Sequence, residues 1–203
     1  MTPSKATVAD VAEQMRDGDL IFFKGKGLVS KVISAFGGCP VTHVGMILKI
    51  DINPRWKSAV LMEMREFHGG RMLSLANEVD NRCGEMYWVP LDPDERFSLD
   101  RKSIVNKMME YTGKDYSYWQ VLKAGISHLP FVRFFYRPSL ADVIERDMPL
   151  YCSACVGASI QHGGQDTVHF LANAWTEPCN LYRSLIHNGN ETLLVSTGTS
   201  QPR

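Results

Sequence analysis

The chain has 203 residues, of which 44% are hydrophobic and 22% charged, a composition that suits a globular protein with one sizeable core. Lys plus Arg and Asp plus Glu each total 22, so no net charge attracts nucleic acid, and we predict no nucleic-acid partner. The N-terminus lacks the apolar stretch of a signal peptide, and the longest apolar runs, such as 44–48, are too short to cross a bilayer. We therefore predict a protein that is cytoplasmic as synthesised and has no stable membrane insertion.

Apolar periodicity and turn residues predict an α+β domain. In chain order, the predicted segments are a helix over 4–16, a strand over 20–23, a helix over 28–36, strands over 43–50, 59–65 and 85–91, and helices over 101–111, 119–126, 150–161 and 176–185. The second and third strands form a hairpin. This order favours a single domain over 1–194, with 121–149 as a candidate insertion and 195–203 as a disordered tail.

The five cysteines do not suggest a disulfide framework. They are Cys39, Cys83, Cys152, Cys155 and Cys179. An odd number at irregular spacing, in a chain without an export signal, argues against paired disulfides. Free cysteines are usually small buried hydrophobic residues, so a reactive cysteine needs a local reason.

Cys152 has such a reason, because it stands where the chain enters a predicted helix. Pro149 precedes it, and small residues follow it in YCSACVGAS (151–159). At a helix N-terminus, unpaired backbone N–H groups and the helix dipole stabilise a thiolate, which makes the cysteine a nucleophile. The same N–H groups can hold an oxyanion. The alternative is that Cys152 and Cys155 are two core residues one helical turn apart.

His43 and Glu63 are the candidates for a base and for the residue that orients it. His43 is the first residue of an apolar strand, where an imidazole can take the proton of a thiol and return it to a leaving group. Glu63 lies within the apolar run of the next strand, where a carboxylate is costly unless it is paired. Side by side in the hairpin, Glu63 would fix the tautomer of His43. Both residues also suit simple solvent-facing positions, and Glu66 replaces Glu63 if the strand register slips.

Six short motifs follow one another along the chain: GDLIFF (18–23), THVGMIL (42–48), LMEM (61–64), YTGKDYSYWQ (111–120), YCSACVGASI (151–160) and WTEPCNL (175–181). In this order they resemble the NlpC superfamily of papain-like cysteine peptidases, in its circularly permuted YiiX-like branch, over about residues 17–182. The resemblance implies a circularly permuted papain-like (NlpC-type) α+β fold, with a small antiparallel sheet packed against the helix that carries the cysteine. It implies Cys152 as nucleophile, His43 as base and Glu63 as orienting residue, with the Cys152 N–H in the oxyanion hole. The sequence departs from the family pattern at the candidate insertion and where Glu177 interrupts a Thr-Pro pair.

The resemblance also implies a reaction. It is that of a cysteine hydrolase, which cleaves an amide or ester bond through a thioester intermediate and needs no cofactor and no metal. The partner would be a peptide, isopeptide or acyl substrate. Acyl transfer to a lipid or amine acceptor is the alternative reaction. A non-catalytic binding module on a peptidase-like fold is the alternative of another class.

Two further chemistries are compatible with the cysteines alone. The C-x-x-C spacing at 152–155 is typical of a dithiol redox motif, but it lies late in the chain with no parallel-sheet pattern before it. A zinc site would have an irregular spacing, unlike the compact ligand pairs of structural zinc. Its ligands would be Cys152, Cys155, His162 and either His169 or Cys179.

Overall fold

The structure is a computed structural model, and the residues that it describes are 3–25, 39–53, 56–82, 84–91, 99–116, 151–164, 177–186 and 190–196. The predicted helices over 28–36 and 119–126 and the candidate insertion lie outside these residues. Within the described ranges, the chain forms one sheet with helices on both faces, in agreement with the predicted α+β class. None of the helices in these ranges is both long enough and apolar enough to cross a membrane.

Seven strands form a mixed sheet in the order β1-β7-β6-β2-β3-β4-β5. Their bounds are Ser4–Thr7 (β1), Leu20–Gly25 (β2), His43–Asn53 (β3), Trp56–Arg65 (β4), Gly69–Ser74 (β5), Gly84–Val89 (β6) and Thr192–Val195 (β7). All neighbouring strands are antiparallel except β1 and β7, which run parallel. The prediction of a small antiparallel sheet is therefore corrected in size and in one pairing. The cause is that β1 and β7 have four residues each, too few to show an alternating pattern.

Five helices accompany the sheet in the described ranges: α1 Val8–Val11, α2 Leu75–Asn81, α3 Arg101–Met109, α4 Cys152–His162 and α5 Pro178–Leu185. The sequence predicts α3, α4 and α5 to within two residues of their bounds but misses α2. The predicted helix over 4–16 is too long at both ends, because only Val8–Val11 is helical. Thr7 and Asp10 form a capping box, in which each side chain accepts a hydrogen bond from the backbone N–H of the other. The helix therefore begins only at Val8, and the residues before it join the sheet as β1.

The central strand β2 is buried on both faces, which explains its continuous apolar run in the sequence. Leu20 and Phe22 belong to a core that the sheet forms with α3, α4 and α5. Ile21 and Phe23 belong to a second core, formed with α1 and α2. All four residues are at most 2% exposed. The sheet thus separates two apolar layers, each covered by its own set of helices.

Strands β3 and β4 form the predicted hairpin, with Met46 opposite Met62. A glycine is needed at position 45 for the two strands to pack this closely. A Cβ atom on Gly45 would stand 2.6 Å from Leu61 Cδ1 and 2.9 Å from the backbone oxygen of Met62. The glycine in the HVG motif therefore has a structural reason next to its histidine.

Strand β7 completes the sheet between β1 and β6. Leu194 pairs with Ala6 on one side and with Met86 on the other. The strand ends at Val195, the first residue of the predicted disordered tail. Residues 197–203 of that tail lie outside the described ranges.

A disulfide joins Cys39 to Cys179, whose Cα atoms are 6.1 Å apart. The sequence-based argument against a disulfide framework therefore misses this pair. The two residues are separated by 140 positions, so nothing local in the sequence indicates that the fold brings them together. Cys152 and Cys155 are free thiols, and Cys83 lies outside the described residues. The bond ties the segment before β3 to the helix α5.

Candidate active site

His43 is the first residue of β3, and its side chain is buried. The backbone is held there by Thr42, whose N–H donates to the Phe23 carbonyl at 2.9 Å and whose Oγ1 accepts from the Gly25 N–H at 3.3 Å. Phe23 is also the register partner of His43, and the centres of the two rings are 5.0 Å apart. Strand β2 therefore holds the imidazole both through the backbone and through an aromatic contact.

Glu63 on β4 supplies the carboxylate that contacts His43. Its Oε2 lies 2.7 Å from His43 Nε2, and only 1% of the residue is exposed. A slip of one residue in β4 would turn this side chain to the other face of the sheet, so the observed register decides the partner. Glu66 lies beyond the end of β4 in a turn, where its backbone carbonyl is 3.0 Å from His68 Nδ1. The structure thus brings Glu63 and not Glu66 to His43.

Three arginines that do not figure in the sequence-based predictions surround Glu63. Arg71, opposite Glu63 in the β4–β5 register, donates to Oε1 from Nε at 2.8 Å and also from Nη2. Arg82 Nη1 lies 3.4 Å from Oε2, and Arg65 Nη1 lies 3.7 Å from Oε1. Glu78 on α2 lies within 4 Å of all three guanidinium groups and balances part of their charge. The carboxylate that contacts His43 is therefore itself held in a network of ion pairs.

The sequence does not indicate this network, because the predicted strand over 59–65 is followed by Gly69-Gly70 and no strand is predicted at β5. In the structure, Gly69 has a φ of +67° and closes a tight hairpin, so the chain returns along β4. A three-residue turn at 66–68 places positions 63 and 71 opposite each other. The turn at 66–68, followed by Gly69, is the signal from which the pairing of Glu63 with Arg71 could have been predicted.

Cys152 is the first residue of α4, and it lies close enough to His43 for its thiol to raise the pKa of the imidazole. Since Glu63 occupies Nε2 of the ring, Nδ1 is the nitrogen left for the sulfur. Cys152 is 5% exposed. Tyr151, the residue before the helix, contributes no side-chain hydrogen bond to it, so it does not occupy the backbone N–H groups at the start of α4.

The cluster is assembled from both faces of the sheet. Cys152 belongs to the core on the α4 face, which also contains Met62 and Met64 of β4. Since side chains alternate along a strand, Glu63 faces the other layer, where Leu61 lies. His43, the first residue of β3, interacts with Glu63 from one layer and with Cys152 from the other.

Charges around His43 favour its protonated form. Burial lowers the pKa of His43, but Cys152 and Glu63 outweigh this effect and raise the pKa to about 9. Burial raises the pKa of the Glu63 carboxyl, but the hydrogen bond and charge of His43 and the charges of Arg82 and Arg71 hold it well below its usual range. At neutral pH the pair is therefore an imidazolium beside a carboxylate.

Cys155 lies one turn further along α4 in a different environment. It is completely buried, and burial together with the neighbouring Cys152 raises the pKa of its thiol. A dithiol redox motif needs a second thiol that can also form a thiolate, whereas burial favours the neutral thiol of Cys155. The redox interpretation of this C-x-x-C therefore gains no support.

The zinc interpretation gains no support either. Cys179 is bonded to Cys39 and is therefore not available as a thiolate ligand. His169 lies outside the described residues. Across the ranges that the structure describes, no group of three or more His, Cys, Asp or Glu side chains is placed to hold a metal ion.

Comparison with known proteins assigns no family to the chain. No family model matches it, and no curated protein matches it. A solved structure described as metalloprotein yiiX from Escherichia coli O157:H7 is similar over 91% of this chain and 90% of its own, with 18% sequence identity and a TM-score of 0.47. A likeness of this size carries no conclusion about function, which rests instead on the side chains around His43.

Proposed function

We propose that this protein is a cysteine hydrolase that cleaves an amide or ester bond, with Cys152 as nucleophile, His43 as base and acid, and Glu63 as the residue that orients His43. The observation that carries the proposal is that His43, whose ring contacts the Glu63 carboxylate at 2.7 Å, is also close enough to Cys152 for the thiol to raise the pKa of the imidazole. A nucleophile, a base and an orienting group within hydrogen-bond reach of one another form the arrangement used for covalent acyl transfer.

Two features of the surroundings favour a thiolate at Cys152. The residue stands at the N-terminus of an eleven-residue helix, where backbone N–H groups and the helix dipole stabilise negative charge. In this proposal His43 takes the proton of the thiol, and the resulting imidazolium adds a positive charge beside the sulfur. The resting state in this proposal is therefore a thiolate–imidazolium pair, with Glu63 stabilising the imidazolium.

The reaction proceeds in two halves. The thiolate attacks the carbonyl carbon and forms a C–S bond, and the displaced electron pair moves to the oxygen, where backbone N–H groups at the start of α4 stabilise it. The bond to the leaving nitrogen or oxygen then breaks as that atom takes the proton of the His43 imidazolium. In the second half, His43 removes a proton from water, the resulting hydroxide attacks the thioester, and the acid product leaves while the Cys152 thiolate is restored.

The nucleophile is tested by site-specific alkylation. At pH 7, iodoacetamide should modify Cys152 at least about tenfold faster than Cys155 or Cys83, because the thiolate is the reactive form. The rates are followed for each cysteine by mass spectrometry of the peptides. His43→Ala should slow the modification of Cys152 about tenfold and leave that of Cys83 unchanged. Modification of Cys152 no faster than that of Cys83 would contradict the proposal.

The reaction class is tested with a panel of p-nitrophenyl esters and of peptide and isopeptide amides. Product release, together with an acyl adduct on Cys152 that is absent in Cys152→Ala, is the expected result for a hydrolase. An adduct that is released only when an amine or a lipid alcohol is added would identify an acyltransferase. Complete absence of an adduct, with Cys152 still reactive towards iodoacetamide, would favour the binding-module alternative.

A further inference from the structure

Arg82 contacts both of the groups that hold the His43 ring. Its Nη1 lies 3.4 Å from Glu63 Oε2, the same oxygen that lies 2.7 Å from His43 Nε2. Its guanidinium carbon lies 4.0 Å from the centre of the Phe23 ring, which in turn is 5.0 Å from the His43 ring. A single side chain thus bridges the carboxylate at the edge of the imidazole and the aromatic ring beside it.

Arg71 contacts the other oxygen of the same carboxylate. It donates to Glu63 Oε1 from both Nε and Nη2, a two-point contact that fixes the rotamer of the glutamate. Arg82 instead shares Oε2 with His43. Removal of Arg82 therefore leaves the carboxylate anchored while it removes a positive charge from the oxygen that binds the imidazole.

The charged groups around His43 and its partner Glu63 come from four elements and from one residue that follows a helix. They are Cys152 on α4, Glu63 and Arg65 on β4, Arg71 on β5, Glu78 on α2, and Arg82 directly after α2. Strand β2 contributes the uncharged Phe23. Around Glu63, three guanidinium groups thus oppose two carboxylates, and their excess positive charge offsets part of the stabilisation that Glu63 gives to the proton on His43.

We propose that Arg82 is a positioning residue that links Glu63 Oε2 to the Phe23 ring beside His43 and, through this contact, weakens the affinity of the imidazole for its proton. The inference rests on the proposed function, in which His43 must both hold a proton and give it to a leaving group. An imidazolium stabilised by a carboxylate alone would release its proton less readily. Arg82 reduces the stabilisation that the Glu63 carboxylate gives to the imidazolium, and it leaves the contact between Glu63 and His43 in place.

The proton affinity of His43 is measured by NMR titration of histidine-labelled protein in a Cys152→Ala background, so that the result does not depend on thiol chemistry. The His43 signal is assigned with His43→Gln. Arg82→Met should move the midpoint of the His43 titration upwards by about one pH unit, the effect expected for loss of a neighbouring charge. Arg82→Lys keeps the charge and should restore the midpoint of the parent.

Arg16→Met is the matched control, because it removes an exposed guanidinium at the other end of β2 and should leave the midpoint unchanged. If Arg82→Met does not fold, as judged by circular dichroism, Arg82→Gln takes its place. An unchanged or lowered midpoint in the folded variant would overturn the inference, and so would equal shifts in the Met and Lys variants.

A second readout uses the intact thiol. In protein with Cys152 present, the rate of Cys152 alkylation is measured as a function of pH. Arg82→Met should shift the alkaline midpoint of this profile upwards, in the same direction as the NMR midpoint. Failure of Cys152 to react in the wild-type protein would overturn the proposed function but not the titration result. A reactive Cys152 whose profile is the same with and without Arg82 would overturn the role of Arg82 alone.

Discussion

Glu63 is a buried carboxylate that has four charged neighbours. It contacts His43 on one oxygen and arginines on both, so its negative charge is compensated more than once. Removal of one partner from a buried ion pair costs several kcal/mol, because the remaining charge is left without compensation. The glutamate therefore matters for stability as well as for the orientation of His43, and experiments on it must separate the two effects.

The contribution of Glu63 to stability can be measured separately through its dependence on pH. The folded state lowers the pKa of Glu63 from 4.5, so its contribution to stability is present above pH 4.5 and is lost as the pH falls through the lower folded value. Between pH 4.5 and pH 2, the free energy of unfolding of the wild type should fall more steeply than that of Glu63→Gln. The difference in slope is at most about 1.4 kcal/mol per pH unit for one proton. Urea unfolding at a series of pH values measures it.

Glu66→Gln provides the control, since Glu66 lies beyond the end of β4 and is only partly buried. Its slope below pH 4.5 should match that of the wild type. If the wild type and Glu63→Gln lose stability in parallel, the carboxyl of Glu63 does not carry the low pKa described above.

Among the site residues, those that carry their own local signal could be predicted. Cys152 follows a proline at a helix start, and His43 opens an apolar strand that includes a glycine. Arg82 gave no such signal, because it becomes important only when α2 places it beside Glu63 and Phe23. Contacts of this kind depend on tertiary packing and not on a local pattern.

At the scale of elements, β2, β3 and β4 are predicted well because each contains an apolar run with turn residues at its ends, and α4 because small residues between Pro149 and Gly163 mark its span. The elements that are missed are short: β1 and β7 have four residues each, β5 has six and α2 has seven. Such segments owe their conformation to pairing and packing rather than to their own propensity. The permuted papain-like arrangement of the elements remains a prediction.

Gly45→Ala tests how closely β3 and β4 must approach for the site to form. The added Cβ would collide with Leu61 Cδ1 and with the backbone oxygen of Met62, and only the side chain can move aside easily. We expect the variant to lose about 1–3 kcal/mol of unfolding free energy, as overpacked cores do. Because Glu63 follows Met62, the modification of Cys152 by iodoacetamide should also slow. An unchanged unfolding midpoint would show that the hairpin tolerates the extra methyl group.

At the scale of the whole molecule, the disulfide between Cys39 and Cys179 joins two distant parts of the chain. A cross-link that closes so long a loop restricts the unfolded chain and should stabilise the fold by about 2–5 kcal/mol. The double variant Cys39→Ser/Cys179→Ser should therefore unfold at a lower urea concentration than the oxidised wild type. Dithiothreitol should destabilise the wild type but not the double variant, which controls for other effects of the reductant. Equal midpoints would mean that the bond adds no stability.

The position of β7 has a consequence for the order in which the protein can assemble during its synthesis. Among the described strands, β1 has β7 as its neighbour, so β1 leaves the ribosome well before the strand with which it pairs. His43 and Glu63 are translated early and can pair in their hairpin, whereas Cys152 emerges much later. A nascent chain that stops before α4 thus holds the base and its carboxylate without a nucleophile, and a chain that stops before β7 leaves β1 without its sheet partner.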